Sequence, residues 1–246
     1  MTDEIIVSEY GVSTEHAESF RSRNDFPARQ KYPQDLKDGR EVHRSNQIAF
    51  LPIDWESEQD WAGMYTEAKK LSKHYVPHRT HESHKGWSSL VIHGISSVHT
   101  ESSHSYGYTD ETAPWRWTDV STLCPVISKF FRTHFDYTRY YRIRIMKLSP
   151  GGYVWPHRDS ISEDENHIGP INIALNNPNE CKFYMDNIGY LPWQAGRAIK
   201  LNLYNIHCVY NNSNEDRYHI IVHGHMGPSW HERIYNNYQI WRKVYE

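Results

Sequence analysis

The stretch Leu148-Ser149-Pro150-Gly151-Gly152-Tyr153-Val154-Trp155-Pro156-His157-Arg158-Asp159 passes from an apolar run through a Pro-Gly-Gly turn into a histidine and an aspartate two residues apart. In extended backbone, residues two apart point to the same side, so His157 and Asp159 can reach one metal ion. With 17 histidines in 246 residues, roughly one His-x-Asp arises by chance. A second copy, His134-Phe135-Asp136, does occur. It ends a predicted helix, and no further histidine followed by an arginine stands at a suitable remove from it. His157 has both: His207 lies fifty positions on, after the run Ile199 to Ile206, and Arg217 opens the next strand ten positions beyond that. Two histidines and a carboxylate at strand ends supply one face of an octahedral iron(II) site and leave the other positions for co-substrate and oxygen. The guanidinium of Arg217 has the forked geometry that holds a carboxylate by two hydrogen bonds. His219, two residues on, shares its face of the strand.

Outward from this stretch the chain reads as short β-like runs: Tyr140 to Leu148, Ile171 to Asn176, Lys182 to Met185, Ala198 to Tyr204 and Tyr218 to His223. Turn residues separate them at Asn176-Asn177-Pro178-Asn179, Gly196 and Asn211-Asn212-Ser213-Asn214. Strands at this spacing predict a mainly β fold, a double-stranded β-helix (jelly roll) with flanking α-helices. Helical spacing of apolar residues marks Trp61 to Leu71, preceded by Ser57 and Asp60 as a capping box. It also marks Pro125 to His134, with Pro125 at the first turn, and the tail from Trp230 to Tyr245, capped by Ser229 and Glu232.

One domain is expected over 1-246. Residues 1-50, polar and broken by Pro27, Pro33 and Gly39, read as an N-terminal arm or cover. Residues 51-138 supply helical support and a lid loop, the His/Ser/Tyr-rich segment Val76 to Trp117. The jelly-roll core follows over 139-227 and a C-terminal helix over 228-246.

Net charge is −3, and no Lys/Arg run forms a nucleic-acid or membrane-binding footprint. No apolar stretch approaches the ~20 residues that span a bilayer, and Met1-Thr2-Asp3-Glu4 is acidic where a signal peptide is basic. A cytoplasmic protein with a small-molecule substrate, and no nucleic-acid or membrane partner, is the expectation. Cys124, Cys181 and Cys208 lack CxxC spacing and read as free thiols. His74, His78, His81 and His84 could suggest zinc by spacing, but Pro77 breaks any helix that would align them, so a solvent-exposed loop is expected. A structural or surface role is expected for His223 and His225, since no third ligand is evident.

From Cys124-Pro125 to Val222 the chain resembles the aspartyl/asparaginyl β-hydroxylase family of iron(II)/2-oxoglutarate-dependent oxygenases. The matching elements are Cys124-Pro125, Leu148 to Gly152 leading into Pro156 to Asp159, Trp193-Gln194-Ala195-Gly196, and His207 to Ser213 with Arg217. The resemblance implies Fe(II) at His157, His207 and Asp159, 2-oxoglutarate at Arg217, and hydroxylation coupled to decarboxylation of 2-oxoglutarate to succinate with molecular oxygen. Some family members lack the carboxylate, so Asp159 places this chain with the three-ligand members. The family often carries an Arg and a His after that position as further 2-oxoglutarate ligands; here only His167 offers itself.

Lesser candidates follow from strand faces. Arg142 and Arg144 alternate with Ile143 and Ile145 and make one face of their strand cationic, toward an anionic substrate or toward solvent. Asn172 would reach the co-substrate, and Trp155, Trp115 and Arg158 would shape the substrate pocket, with core packing the default for Trp. A small amino-acid-like substrate is favoured; a peptidyl Asp/Asn residue or a lipid acyl chain are the alternatives within the family. A zinc-dependent hydrolase or isomerase and a non-catalytic jelly-roll binding module are the alternatives outside it.

Overall fold

The computed structural model describes residues 14–55, 58–159 and 168–244. Eleven strands among them form one curled sheet: β1 (Phe50–Ile53), β2 (Val76–Pro77), β3 (His84–Gly94), β4 (Arg116–Trp117), β5 (Tyr137–His157), β6 (Ile168–Ala174), β7 (Cys181–Met185), β8 (Gly189–Tyr190), β9 (Ala198–Leu201), β10 (His207–Asn211) and β11 (Arg217–Met226). The order is β1-β9-β6-β11-β5-β10-β7-β8, with β3 against β5 and with β2 and β4 against β3. Pairing is antiparallel throughout the named strands.

The strand β5 makes the curl. Its first part pairs with β11, Leu148 opposite Arg217, and its last part pairs with β10, His157 opposite His207. Between them lies Pro150-Gly151-Gly152. Gly151 has φ +68, a left-handed value that only glycine adopts without strain. A Cβ on Gly152 would sit 2.7 Å from the Ser149 carbonyl oxygen and 2.9 Å from that of Lys85. The turn therefore bends β5 from one sheet into the other instead of ending it, and a jelly roll of two facing sheets results, β9-β6-β11-β5 and β5-β10-β7-β8.

Helices back one outer face. Met64 and Ala68 of α3 (Trp61–Lys70), Ile127, Phe130 and Phe131 of α4 (Pro125–Thr133), and Trp230, Ile234 and Tyr238 of α5 (Pro228–Val244) bury themselves against Leu90, Ile92, Ile143, Ile145, Ile171, Ile173, Ile220 and Val222. Those strand residues alternate with the ones that face the cavity, as a half-buried sheet requires. On the other side α1 (Thr14–Arg23) lays Ala17 and Phe20 on Tyr184, Cys208 and Tyr210. A short helix, α2 (Gly39–Arg44), is capped by the Asp38 carboxylate.

Several caps come from elsewhere than the expected residues. Asp60 itself caps α3 by accepting from Gly63 N, and Ser57 lies outside the described residues, as does Tyr245 of the tail. The first turn of α4 donates from Val126 N and Ile127 N to the Glu67 carboxylate of α3. At α5 the expected Ser229/Glu232 box is replaced by Asp136, which accepts from both the backbone N and the hydroxyl of Ser229.

Two expectations are corrected. Residues 1-50 are not an irregular arm where described, since they hold α1, α2 and the start of β1. Val76 to Trp117 is not one lid loop: β3 occupies eleven of its residues and pairs along β5. In its first half His84 and Trp87 line the cavity and the register on β5 shifts between Lys85 and Trp87, while its second half is buried on both sides, so neither half alternates cleanly. The three cysteines are free and buried, and no helix among the described residues is long and apolar enough to cross a membrane.

Candidate metal and co-substrate site

The end of β5 and the start of β10 bring His157 and His207 face to face, with ring centroids 4.3 Å apart. Backbone carbonyls orient both rings. His157 Nδ1 donates to the Trp155 carbonyl at 2.8 Å and His207 Nδ1 to the Asn205 carbonyl at 2.9 Å. Each ring therefore carries its proton on Nδ1 and turns a free Nε2 lone pair toward the other, the arrangement that metal-ligating histidines adopt. Asp159, held by its backbone N on the Leu203 carbonyl, places Oδ1 3.5 Å from His157 Nε2. Ligand atoms of His157, Asp159 and His207 all lie within 4.8 Å of one another.

Electrostatics suit a cation. Burial pushes His207 down to about 4, aided by repulsion from His157, so it stays neutral at physiological pH. Burial would raise the Asp159 carboxyl, but the adjoining His157 and His207 rings and the Arg79 guanidinium outweigh that and hold it well below the usual carboxylate range. Asp159 stays 46% exposed, which leaves the site open on that side. Two imidazole Nε2 atoms and one carboxylate with an open face fit iron(II).

These residues stand at one end of a cavity of about 2020 Å³. Arg217, at the start of β11, lines its floor. It is 2% exposed, stacks on Trp193 at 4.8 Å, and has a buried Nη2 with no hydrogen-bond partner. Its neighbour on the same face, His219, has a buried Nδ1 that also lacks one. An uncompensated guanidinium in a buried site is costly, and a carboxylate ligand removes that cost. Asn172 faces the same space and donates only a long 3.4 Å bond to the Pro170 carbonyl.

Arg142, Arg144 and Arg158 also line the cavity. Trp155 and Trp115 do not: Trp155 stacks on Tyr153 against the α1 side, and Trp115 stacks on Tyr141 and donates to the Asp110 carbonyl. His167 lies outside the described residues.

His78 and His84 correct the exposed-loop expectation, for both are buried and both line the cavity. The β2–β3 pairing turns them inward, with His78 N on the Trp87 carbonyl. His84 stacks on Trp87, its ring centroid 5.9 Å from that of His157, and its Nε2 is buried without a partner. No period-two row marks it, because the register of β3 on β5 shifts between Lys85 and Trp87. His223 also lines the cavity, while His225 bonds the Tyr141 hydroxyl at 2.8 Å.

A model of the aspartyl/asparaginyl beta-hydroxylase family matches residues 58–225. No curated protein matches the chain. Among solved structures it is similar to a prolyl hydroxylase from Trichoplax adhaerens in complex with a hypoxia inducible factor peptide fragment, at 14% identity, TM-score 0.47, and coverage of 77% of this chain and 88% of that one. It is also similar to a Pseudomonas putida prolyl-4-hydroxylase at 10% identity and TM-score 0.42, covering 77% of this chain and 99% of that one. A third likeness, at 10% identity and TM-score 0.41, is to a 2OG-Fe(II) oxygenase family oxidoreductase from Burkholderia pseudomallei, covering 80% of this chain and 94% of that one.

Proposed function

The chain belongs to the aspartyl/asparaginyl β-hydroxylase family, and from that premise we propose that it hydroxylates a small amino-acid-like substrate using Fe(II), 2-oxoglutarate and molecular oxygen. One observation carries the reading: two histidines locked on Nδ1 converge with Asp159 in the same cavity as a buried, unpaired arginine.

His157 Nε2, His207 Nε2 and Asp159 would hold the metal. Arg217 would clamp the distal carboxylate of 2-oxoglutarate, with Trp193 behind its guanidinium plane. His219 of β11 and Asn172 of β6, offset by two positions on adjacent strands, line the same cavity and are placed to donate to the same molecule. When bound, the iron with 2-oxoglutarate and oxygen supplies the oxidising power: the co-substrate loses CO2 to become succinate and one oxygen atom is delivered to a substrate C–H bond. Leu148, Val154, Phe183 and Val209 wall the interior with apolar surface and keep bulk water off the reacting end.

Metal analysis combined with succinate release on adding 2-oxoglutarate under air tests this. Iron stoichiometry near one, with succinate formed, is the expected result. Bound zinc with no 2-oxoglutarate turnover would favour a hydrolase or isomerase. Neither metal nor turnover would reduce the chain to a binding module.

A further inference from the structure

The cavity has a second cationic end. Arg142 and Arg144 share the cavity face of β5, where Arg144 pairs with Ile221 and Arg142 with His223, whereas Arg217 pairs with Leu148. Four residues of β11 separate the levels of Arg217 and Arg144, roughly 13 Å along a strand. A five-carbon diacid clamped at Arg217 is shorter than that. Arg79, in the turn between β2 and β3, lines the same mouth beside His78.

The cluster is short of negative charge. Arg144 is only 5% exposed; its Nη1 donates to the Thr100 carbonyl and its Nε is buried without a partner. Neither Arg142 nor Arg144 forms an ion pair with a described residue. Asp110 and Asp159 act electrostatically on Arg142 and Asp159 on Arg144, and Glu101 and Glu111 also line the cavity. Asp110 accepts from the Ser103 hydroxyl at 2.6 Å, and Asp159 is the corner of the candidate metal site. Burial holds the Arg144 guanidinium well below its ordinary range, with repulsion from Arg142 and Arg79 next in size, which places the three groups in one field. Arg79 further sits at φ +57, a left-handed conformation that a non-glycine residue adopts at a cost. The buried Arg144, with no ion-pair partner among the described residues, and the left-handed backbone at Arg79 both mark a place prepared for a ligand.

We propose that Arg79, Arg142 and Arg144 form an anion subsite at the cavity mouth that binds a dianionic head group of the substrate, a phosphate monoester or a closely spaced dicarboxylate. The proposal rests on the oxygenase reading for its claim that the mouth receives substrate. A single carboxylate neutralises one of three guanidiniums, whereas a dianion offers forked oxygens to two or more of them. The substrate is thus an acidic small molecule, held by its charged end at the mouth with its C–H bond toward His157 and His207.

Calorimetric titration of the purified protein at constant ionic strength tests this with inorganic phosphate, malonate and acetate as probes, and with 2-oxoglutarate in a separate arm. Phosphate or malonate should bind at least about tenfold more tightly than acetate, and the tighter of the two identifies the head group. Arg79→Gln, Arg142→Gln and Arg144→Gln should each weaken that binding by about fivefold to tenfold, and Arg217→Lys should weaken 2-oxoglutarate far more than phosphate. If Arg144→Gln fails to fold, the exposed Arg79 and the half-buried Arg142 still decide the matter. Equal binding of acetate and phosphate, or unchanged phosphate binding in the arginine variants, overturns the subsite. So does an Arg144→Gln loss of 2-oxoglutarate affinity as large as that of Arg217→Lys, because the arginine would then belong to the co-substrate anchor. Phosphate binding without any 2-oxoglutarate binding supports the subsite while breaking the oxygenase reading.

Discussion

His134-Phe135-Asp136 and His157-Arg158-Asp159 have the same spelling at their ends and opposite fates. The first lies where α4 gives way to β5: His134 is an exposed helix C-cap, and the Asp136 carboxylate turns away to accept from Ser229 at the start of α5. The second ends β5 opposite β10, where His157 finds His207 across the ladder and a carbonyl behind its own Nδ1. A two-residue spacing converges on one ion only where the backbone is extended and a third ligand waits on the neighbouring strand. At the first motif the carboxylate meets the backbone N–H and the hydroxyl of Ser229 instead and becomes a cap.

The largest effect expected from this contrast is on metal binding. His157→Ala and His207→Ala should each lower Fe(II) affinity by at least roughly a hundredfold, more than the loss of an outer hydrogen bond costs, while His134→Ala shifts it less than about twofold. Competition with a chelator of known affinity reads all three. Comparable losses in His134→Ala and His157→Ala would erase the distinction between the motifs.

Next in size is the arginine that only the second motif has. Arg217→Lys should raise the 2-oxoglutarate KM about tenfold to hundredfold, because a forked charge-assisted contact worth roughly 1.5 to 3 kcal/mol is lost. Tyr218→Phe is the control one residue away. Its side chain lies on the opposite face of β11, among Tyr65 and Tyr75, where its hydroxyl bonds Asp216. Steady-state kinetics showing equal KM changes in the two variants would move the anchor elsewhere.

A histidine outside both motifs shows what burial does without a metal or a cap. Burial pushes His93 down to about 4, against a partial offset from the hydrogen bond to the Tyr141 carbonyl. The unfolded chain takes up a proton near pH 6.5, which the folded chain refuses until about pH 4, so the folded state loses stability as pH falls through that window. At pH 5 the loss from this one residue is about 2 kcal/mol. Thermal melts from pH 7.5 to 5 should show Tm falling, and His93→Gln should flatten the slope even if it lowers Tm overall. An unchanged slope would mean that His93 is solvated in the folded protein.

Much of this site was legible because its logic is local. His157, Asp159, His207 and Arg217 each sit at a strand end next to a turn, and turn chemistry is written in short words such as Pro150-Gly151-Gly152. The opposite wall was not legible. His78, Arg79 and His84 owe their inward position to the pairing of β2 and β3 with each other and of β3 with β5, contacts between residues some sixty positions apart in the second case. Periodicity also failed there for a physical reason, since β3 shifts register on β5 between Lys85 and Trp87 and again between Val91 and His93, and each shift changes which residues share a face. The caps of α4 and α5 were hidden in the same way, because Glu67 and Asp136 come from distant segments and a capping box is a strictly local pattern.

That last point sets the smallest of the expected effects, and the most discriminating for the pair of motifs. Asp136 accepts from Ser229 N and Oγ, and its own carbonyl accepts from Gly227 N, whose Cα leaves no room for a side chain: a Cβ there would lie 2.2 Å from Asp136 Oδ2. The carboxylate is exposed, so its value is that of a helix cap and no more. Asp136→Ala should therefore cost about 1 kcal/mol, lowering Tm by roughly 2 to 4 °C for a chain of this size, with no change in metal affinity. Asp136→Asn keeps an acceptor oxygen in place and should recover most of that loss. Asp159→Asn should do the reverse at the metal, weakening its binding through the lost charge, where Asp136→Ala leaves that affinity unchanged. Melting curves recorded with chelator present, set beside metal affinities for the same variants, separate the two roles. If Asp136→Ala weakened metal binding, or Asp159→Asn left it unchanged, the two aspartates would not differ in the way their strand and helix contexts require.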